Sequence, residues 1–306
     1  MAGAPWAPLG VGGASLQPGA ASAEEQPPPP TRTPLQQRLG INNTDLEKLP
    51  TGYISPWGPD DLYYPSWLEG RWRVQQTLQA YSAPLGKKYL AGGNLDVANK
   101  VLSDEQRQLG RPVEFELRYV RTQRNNTVED RAFNVAARLN AFAGRKVVKS
   151  TEYVDVPSNT RELALQAGNG PEDPLLTTLV TFKGAVQKIF ITSFETETGD
   201  GGDVWRGLAS TRTLLAAPGS GANPVVADEE VVTALRRGPD GDVRGRLRLI
   251  GFLNPKDALY FEAGNHAVTI ADYSLQYTPI RESEAAVAEP VDTSSDPVSP
   301  GMAVRQ

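Results

Sequence analysis

The sequence predicts a mainly β protein: one antiparallel barrel or sandwich with a short helix, framed by disordered ends. Three observations predict it. Residues 63–86 contain a strand that alternates along its length. From residue 112 onward, strand-length segments recur between Gly-containing turns. Both ends are rich in Ala, Gly, Pro and Ser, a composition that buries too little apolar surface to offset chain entropy. The chain therefore divides into a disordered segment at 1–34, an irregular collar at 35–62, a barrel domain at 63–280 and a disordered tail at 281–306.

The first segment ends in Pro27 to Pro30. It also carries Ala21-Ser22-Ala23 before Glu24-Glu25, a weak likeness to a cleavage site. In the collar, Leu35-Gln36-Gln37-Arg38-Leu39 predicts one helical turn. Asn42-Asn43-Thr44-Asp45 offers an N-cap for another. Pro50, Pro56 and Pro59 then prevent regular structure, and Tyr53 and Trp57 are expected to anchor the collar across the barrel.

The first strand spans 67–81. Trp72, Val74, Leu78 and Ala80 share one parity, and Arg71, Arg73, Gln75, Thr77 and Gln79 share the other. Successive strand side chains point to opposite faces, so the first set is buried and the second faces solvent or a partner. Residues 87–111 then read as a long loop, with Ser103 capping a short helix. Pro112 opens a strand in which Val113, Phe115, Leu117 and Tyr119 alternate with Glu114, Glu116 and Arg118. Residues 128–142 carry apolar side chains at helical spacing and end at Gly144. Further strands are expected at 146–156, 161–166, 175–182, 186–196, 204–215, 225–236, 243–253 and 267–278.

Composition excludes several chemistries. There is no cysteine and one histidine, so disulfides, thiolate metal sites, cysteine nucleophiles and multi-histidine metal sites are ruled out. A formal charge of −5 argues against a nucleic-acid partner. No run reaches the roughly 18 apolar residues of a membrane span. The Asn42 and Asn125 sequons matter only in a secretory setting.

Each remaining candidate has a plain alternative. His266 reads as a general base or an axial ligand, or as an ordinary strand-end histidine. Glu129, Asp130 and Arg131 read as a poised carboxylate site, or as an ion pair with an acidic helix start. Glu195 and Glu197 share a face, as glycosidase carboxylates do, but so do acids on any outer face. Arg244, Arg246 and Arg248 form a row that reads as an anion site. The favoured alternative is a solvated face paired with Asp228, Glu229 or Glu230 on the neighbouring strand. The collective candidate is the aromatic and aliphatic inner face, chiefly Trp67, Trp72, Val74, Phe115, Tyr119, Phe190 and Tyr273. Such residues either fill a barrel or line an apolar cavity.

Three ordered blocks carry a family resemblance. Tyr63-Tyr64-Pro65-Ser66-Trp67-Leu68-Glu69-Gly70-Arg71-Trp72 with Ala83-Pro84-Leu85-Gly86 is the first. Asp130-Arg131-Ala132-Phe133-Asn134 is the second. Asn254-Pro255 with Asp257, Tyr260-Phe261 and Gly264 is the third. Together they resemble an uncharacterised domain family of cyanobacteria and chloroplasts over roughly residues 60–280. That resemblance implies a lipocalin-like (calycin-type) barrel and a chloroplast setting associated with the thylakoid, in the lumen or on the membrane surface. It brings no established reaction, cofactor or ligand. The expectation is a non-enzymatic barrel binding a small apolar molecule such as a pigment, lipid or haem-like group. The alternative is a filled barrel acting as an assembly or scaffolding factor within a thylakoid protein complex.

Overall fold

The alternation that begins at Gly70 produces the central strand of one antiparallel sheet. The structure, a computed structural model, describes residues 33–49, 61–154, 176–219 and 223–281. Among these, ten strands form a single sheet: β1 (Gly70–Ser82), β2 (Pro112–Arg121), β3 (Thr127–Glu129), β4 (Val148–Tyr153), β5 (Thr177–Phe182), β6 (Val186–Gly199), β7 (Val204–Ala216), β8 (Val225–Arg237), β9 (Val243–Phe252) and β10 (Thr269–Pro279). Four helices accompany them: α1 (Pro34–Arg38), α2 (Leu95–Gln108), α3 (Arg131–Phe142) and α4 (Tyr260–Ala263).

The strand order is β3-β2-β1-β10-β9-β8-β7-β6-β5-β4. The sheet is thus an up-and-down meander in which the first long strand pairs with the last. It curls into a half-barrel whose two edges, β3 and β4, are joined in sequence by α3. Helix α3 packs against β2 on one side of this seam and against β4 and β5 on the other. A helix laid along the edges covers the unpaired backbone that a strand edge otherwise presents.

Asn134 explains how α3 is held. Its side chain is fully buried, accepts from the Arg118 amide at 2.7 Å and donates to the Arg118 carbonyl at 3.0 Å. The side-chain amide extends the hydrogen-bonding edge of β2 beyond the end of β3. Asp130 caps the helix by accepting from the Phe133 amide, and it also receives the Tyr153 hydroxyl of β4. Arg131 forks onto Asp61 with two bonds of 2.8 Å. Residues 129–131 are therefore not paired with one another as an ion pair. Glu129 takes Arg138 and Asn134 instead.

Two apolar clusters lie on opposite faces of the sheet. The concave cluster contains Leu68, Trp72, Val74, Phe115, Leu117, Tyr119, Trp205, Leu235 and Tyr277. The convex cluster packs Leu35, Leu39 and Leu46 of the collar onto Leu208, Val232, Ile250 and Ile270. Most of the sequence-based strands match to within a few residues. The segments at 1–32, 50–60, which include Tyr53 and Trp57, 155–175, which include the strand expected at 161–166, and 282–306 lie outside the described residues.

Several expectations are corrected. Residues 95–108 form a full helix rather than a loop, capped by Asn94 and not by Ser103. The expected helix after Asn42 is absent: Glu47 forms a bridge with His266 instead. A bulge at Gln79 shifts the β1 register, so Ala80 is exposed and Tyr81 faces inward, opposite Ala271. The Arg row is not uniformly solvated. Arg248 is fully buried under the collar and pairs with Asp272 on β10, not with an acid of β8.

Candidate functional site

The concave face has two zones, and burial changes from one to the other along each strand. On β9, Val243 is buried whereas Leu247 and Leu249 are half-buried. On β10 the change comes between Leu275 and Tyr273, with small Ala271 beyond them buried again. On β8 it comes between Leu235 and Val231, and on β7 between Gly207 and Thr211. All of these side chains face inward, because directly opposed residues on neighbouring strands share a face.

The closed zone is filled by aromatic packing. The Trp205 indole lies over Gly207, where an added Cβ would sit 2.4 Å from its ring, so only glycine fits there. Its Nε1 donates to the Tyr63 carbonyl at 3.0 Å, and its ring stacks at 4.4 Å from Tyr64. Trp72 donates to the Leu68 carbonyl at 2.7 Å and meets Tyr277 edge-on at 6.1 Å. Trp67 donates to the Gly202 carbonyl at 3.0 Å. Burial pushes the phenols of Tyr64, Tyr119 and Tyr277 up, and the Tyr119 and Tyr277 hydroxyls lie 3.4 Å apart. These groups are neutral anchors with polar tips that hold the packing in register.

The open zone differs. Its walls are Leu247, Leu249, Val231, Ile189, Ile191 and Thr211, with Tyr273, Tyr81 and Glu229 as polar members. On the same strands the convex face is sealed: Leu208, Val232 and Ile250 are each 0% exposed beneath the collar. The usual order is thereby inverted. At this level the outward Leu208, Val232 and Ile250 are dry, and the inward Val231, Leu247 and Leu249 reach solvent, although Ala271 beside them is buried. Burial raises the Glu229 carboxyl, and neighbouring Asp228 adds to the effect. Burial also pushes Tyr81 up to about 12 and raises Tyr273 further, with Glu105 of α2 contributing to both.

The seven aromatic and aliphatic candidates divide between these zones. Trp67, Trp72, Val74, Phe115 and Tyr119 pack in the closed zone, and Tyr273 faces the open one. Phe190 lies on the other face. A bulge at Thr192 shifts the β6 register, so Phe190 stands opposite Arg212, whose side chain bonds Asp228 under the collar. Sequence reasoning missed Glu229 as an interior residue. Its two-residue spacing from Val231 was the available signal.

The other candidates have structural partners. His266 Nδ1 lies 2.9 Å from Asp45, with Glu47 3.8 Å from Nε2. Glu197 accepts from Thr33 and Arg206, and Glu195 is exposed on the outer face. Arg71 forks onto Glu116 across β1 and β2, which lowers the Glu116 carboxyl. Asn254 and Asp257 close a turn through the Asn254 amide and side chain. Among the described residues, no group of three or more His, Cys, Asp or Glu is arranged to hold a metal ion. Nor is any described helix long and apolar enough to cross a membrane.

A family model described as a domain of unknown function, DUF6816, matches residues 56–281. No curated protein and no solved structure matches the chain.

Proposed function

The chain belongs to that family, and from this premise we propose that its half-barrel is a non-enzymatic carrier for a small apolar molecule. The ligand enters the open zone of the concave face. One observation carries the reading: the collar dries Leu208, Val232 and Ile250 on the convex face, while Val231 of β8 and Leu247 and Leu249 of β9, inward in the open zone, stay half-exposed. Exposed apolar surface in a concavity costs free energy that a bound apolar ligand recovers, about 25 cal/mol per Å² removed from water. The filled zone around Trp205 gives the cavity a rigid floor. In this reading Tyr273 contacts the ligand directly. Trp67, Trp72, Val74, Phe115 and Tyr119 support the floor, and Phe190 does not take part.

The lipocalin-like character of the barrel and the chloroplast, thylakoid-associated setting belong to the same proposal, resting on the resemblance of the three sequence blocks. Purification from the native source, followed by absorption and mass spectrometry of the extract, tests it. A pigment, lipid or haem-like molecule in stoichiometric amount is expected; an empty monomer would sink the reading. Phe261 supports a second reading as an assembly factor. It is 88% exposed on α4, its ring edge-on to Tyr260 at 5.3 Å and otherwise turned to solvent. Migration of the native protein in a larger complex, lost on Phe261→Ser, supports that alternative.

A further inference from the structure

The buried parity of β1 is apolar except at one position. Trp72, Val74 and Leu78 face the concave side, and Gln76 faces it between Val74 and Leu78. Gln76 stands directly opposite Val113 of β2 and Leu275 of β10, and the same row continues through Gly245 of β9 and Leu235 of β8. Directly opposed residues share a face, so these are the neighbours of the amide across the sheet. Three of them are apolar and the fourth has no side chain. Gln76 is only 7% exposed, yet among the described residues its side chain has no hydrogen-bond partner. The other polar groups of the closed zone differ. The indoles of Trp67, Trp72 and Trp205 each donate to a carbonyl, and the Tyr119 and Tyr277 hydroxyls meet each other.

The row of Gln76 is the last of the closed zone. The next row along the strands is Leu78, Tyr273 and Leu247, and Tyr273 and Leu247 already reach solvent. Gln76 thus stands at the floor of the open zone. A buried amide left unpaired carries the desolvation cost of both its ends, and in a core that is otherwise satisfied such a group marks a functional position. We infer that Gln76 determines ligand specificity: its amide bonds a neutral hydroxyl or carbonyl oxygen of the ligand, while the walls of the open zone take the apolar part. The amide both donates and accepts, so it serves either group. No charged side chain stands in its row to compensate an ionised one. The inference rests on the carrier reading above and narrows its ligand class to uncharged molecules with such an oxygen.

The test uses the full chain and ligands of two kinds. 1,6-Diphenyl-1,3,5-hexatriene, a fluorescent hydrocarbon, reads the apolar walls alone. 1-Decanol and 2-decanone, each below its solubility limit, displace it and bring the oxygen. Gln76→Met keeps the length of the side chain and removes the amide. The hydrocarbon is expected to bind this variant no more weakly than the wild type. Displacement by at least one of the two oxygen compounds should weaken about fivefold, as for the loss of one neutral hydrogen bond. Without ligand, Gln76→Met should also unfold at higher urea than the wild type, because it no longer buries an unpaired amide. Unchanged displacement by both compounds, or an equal loss for them and the hydrocarbon, overturns the assignment and leaves the carrier reading standing. So does a lower urea midpoint in both Gln76→Met and Gln76→Leu, which would mean that the amide is bonded within the fold. Failure of the hydrocarbon to bind the wild type overturns both.

Discussion

Asp228 and Glu229 are adjacent in sequence and opposite in environment. Asp228 points to the convex face, where burial raises its carboxyl but bonds from Arg212 and Lys48 outweigh that and hold it below the usual range. Glu229 points inward, where burial and Asp228 both raise it. The two shifts act on stability with opposite signs. A depressed native pKa contributes stability above the unfolded value of about 3.9, and that stability is lost as pH falls through the native value. Asp228→Asn should therefore lower stability at pH 7 by about 3 kcal/mol, as expected for a broken buried pair, and by progressively less toward acid. A raised carboxyl does the reverse: stability declines as pH rises from about 4.3 through the native value. Glu229→Gln should accordingly unfold at higher urea than the wild type at pH 7, with the gap closing in acid. Urea titrations across pH 3 to 8 measure both effects.

At the scale of elements, the collar and α3 close the sheet by different means. The collar is clamped through its backbone. Arg248 Nη1 donates to the carbonyls of Arg38, Gly40 and Asn43, at 2.9, 2.7 and 3.0 Å, while its other nitrogens fork onto Asp272. Arg38 reaches Glu230, and Glu230 also accepts the Leu49 amide at 2.7 Å. Arg248→Met should cost about 3–5 kcal/mol, because it leaves Asp272 without its buried cation and the carbonyls of Arg38 and Asn43 without that donor, while Gly40 keeps the Asn43 amide. Hydrogen exchange in residues 35–49 should accelerate more than elsewhere. Helix α3 depends on Asn134, and Asn134→Leu orphans the Arg118 amide and leaves the Arg118 carbonyl with the Asp130 amide alone, at a cost of about 2 kcal/mol, read from the urea midpoint.

Much at this scale was legible in the sequence. Strand positions followed from parity and Gly turns, and apolar side chains at helical spacing with the Gly144 stop placed α3 within 128–142; the Asp130 cap came only with the structure. Helix α2 was missed although Leu95, Ala98, Val101 and Leu102 recur at helical spacing after Asn94, an ordinary N-cap. The collar's grip on Arg248 was not legible. It joins residues more than 200 apart, and an Arg row on a strand looks the same whether water or backbone lies above it. The bulges at Gln79 and Thr192 were also hidden, since each adds one residue without a turn signal. The second of them reversed the facing of Phe190.

The whole molecule is a ten-stranded, open meander among its described residues, sealed outside by the collar, joined along its seam by α3 and filled at one end by Trp72, Trp205 and Tyr277. That arrangement makes the fold stable without filling the other end. The sequence showed an aromatic inner face but did not separate a packed interior from a hollow one. That depends on how far each strand extends past the aromatic plug, a property of register that parity does not report. The central claim is that the open zone is a binding cavity, and blocking it from inside tests this most directly. The measurement is fluorescence titration of N-phenyl-1-naphthylamine into the wild type and into Val231→Trp, which places an indole in the open zone, with unfolding midpoints recorded for both. Saturable binding at one site in the wild type, lost in a Val231→Trp variant that remains folded, is the predicted result. Equal binding by both folded proteins, or none by the wild type, would contradict the account.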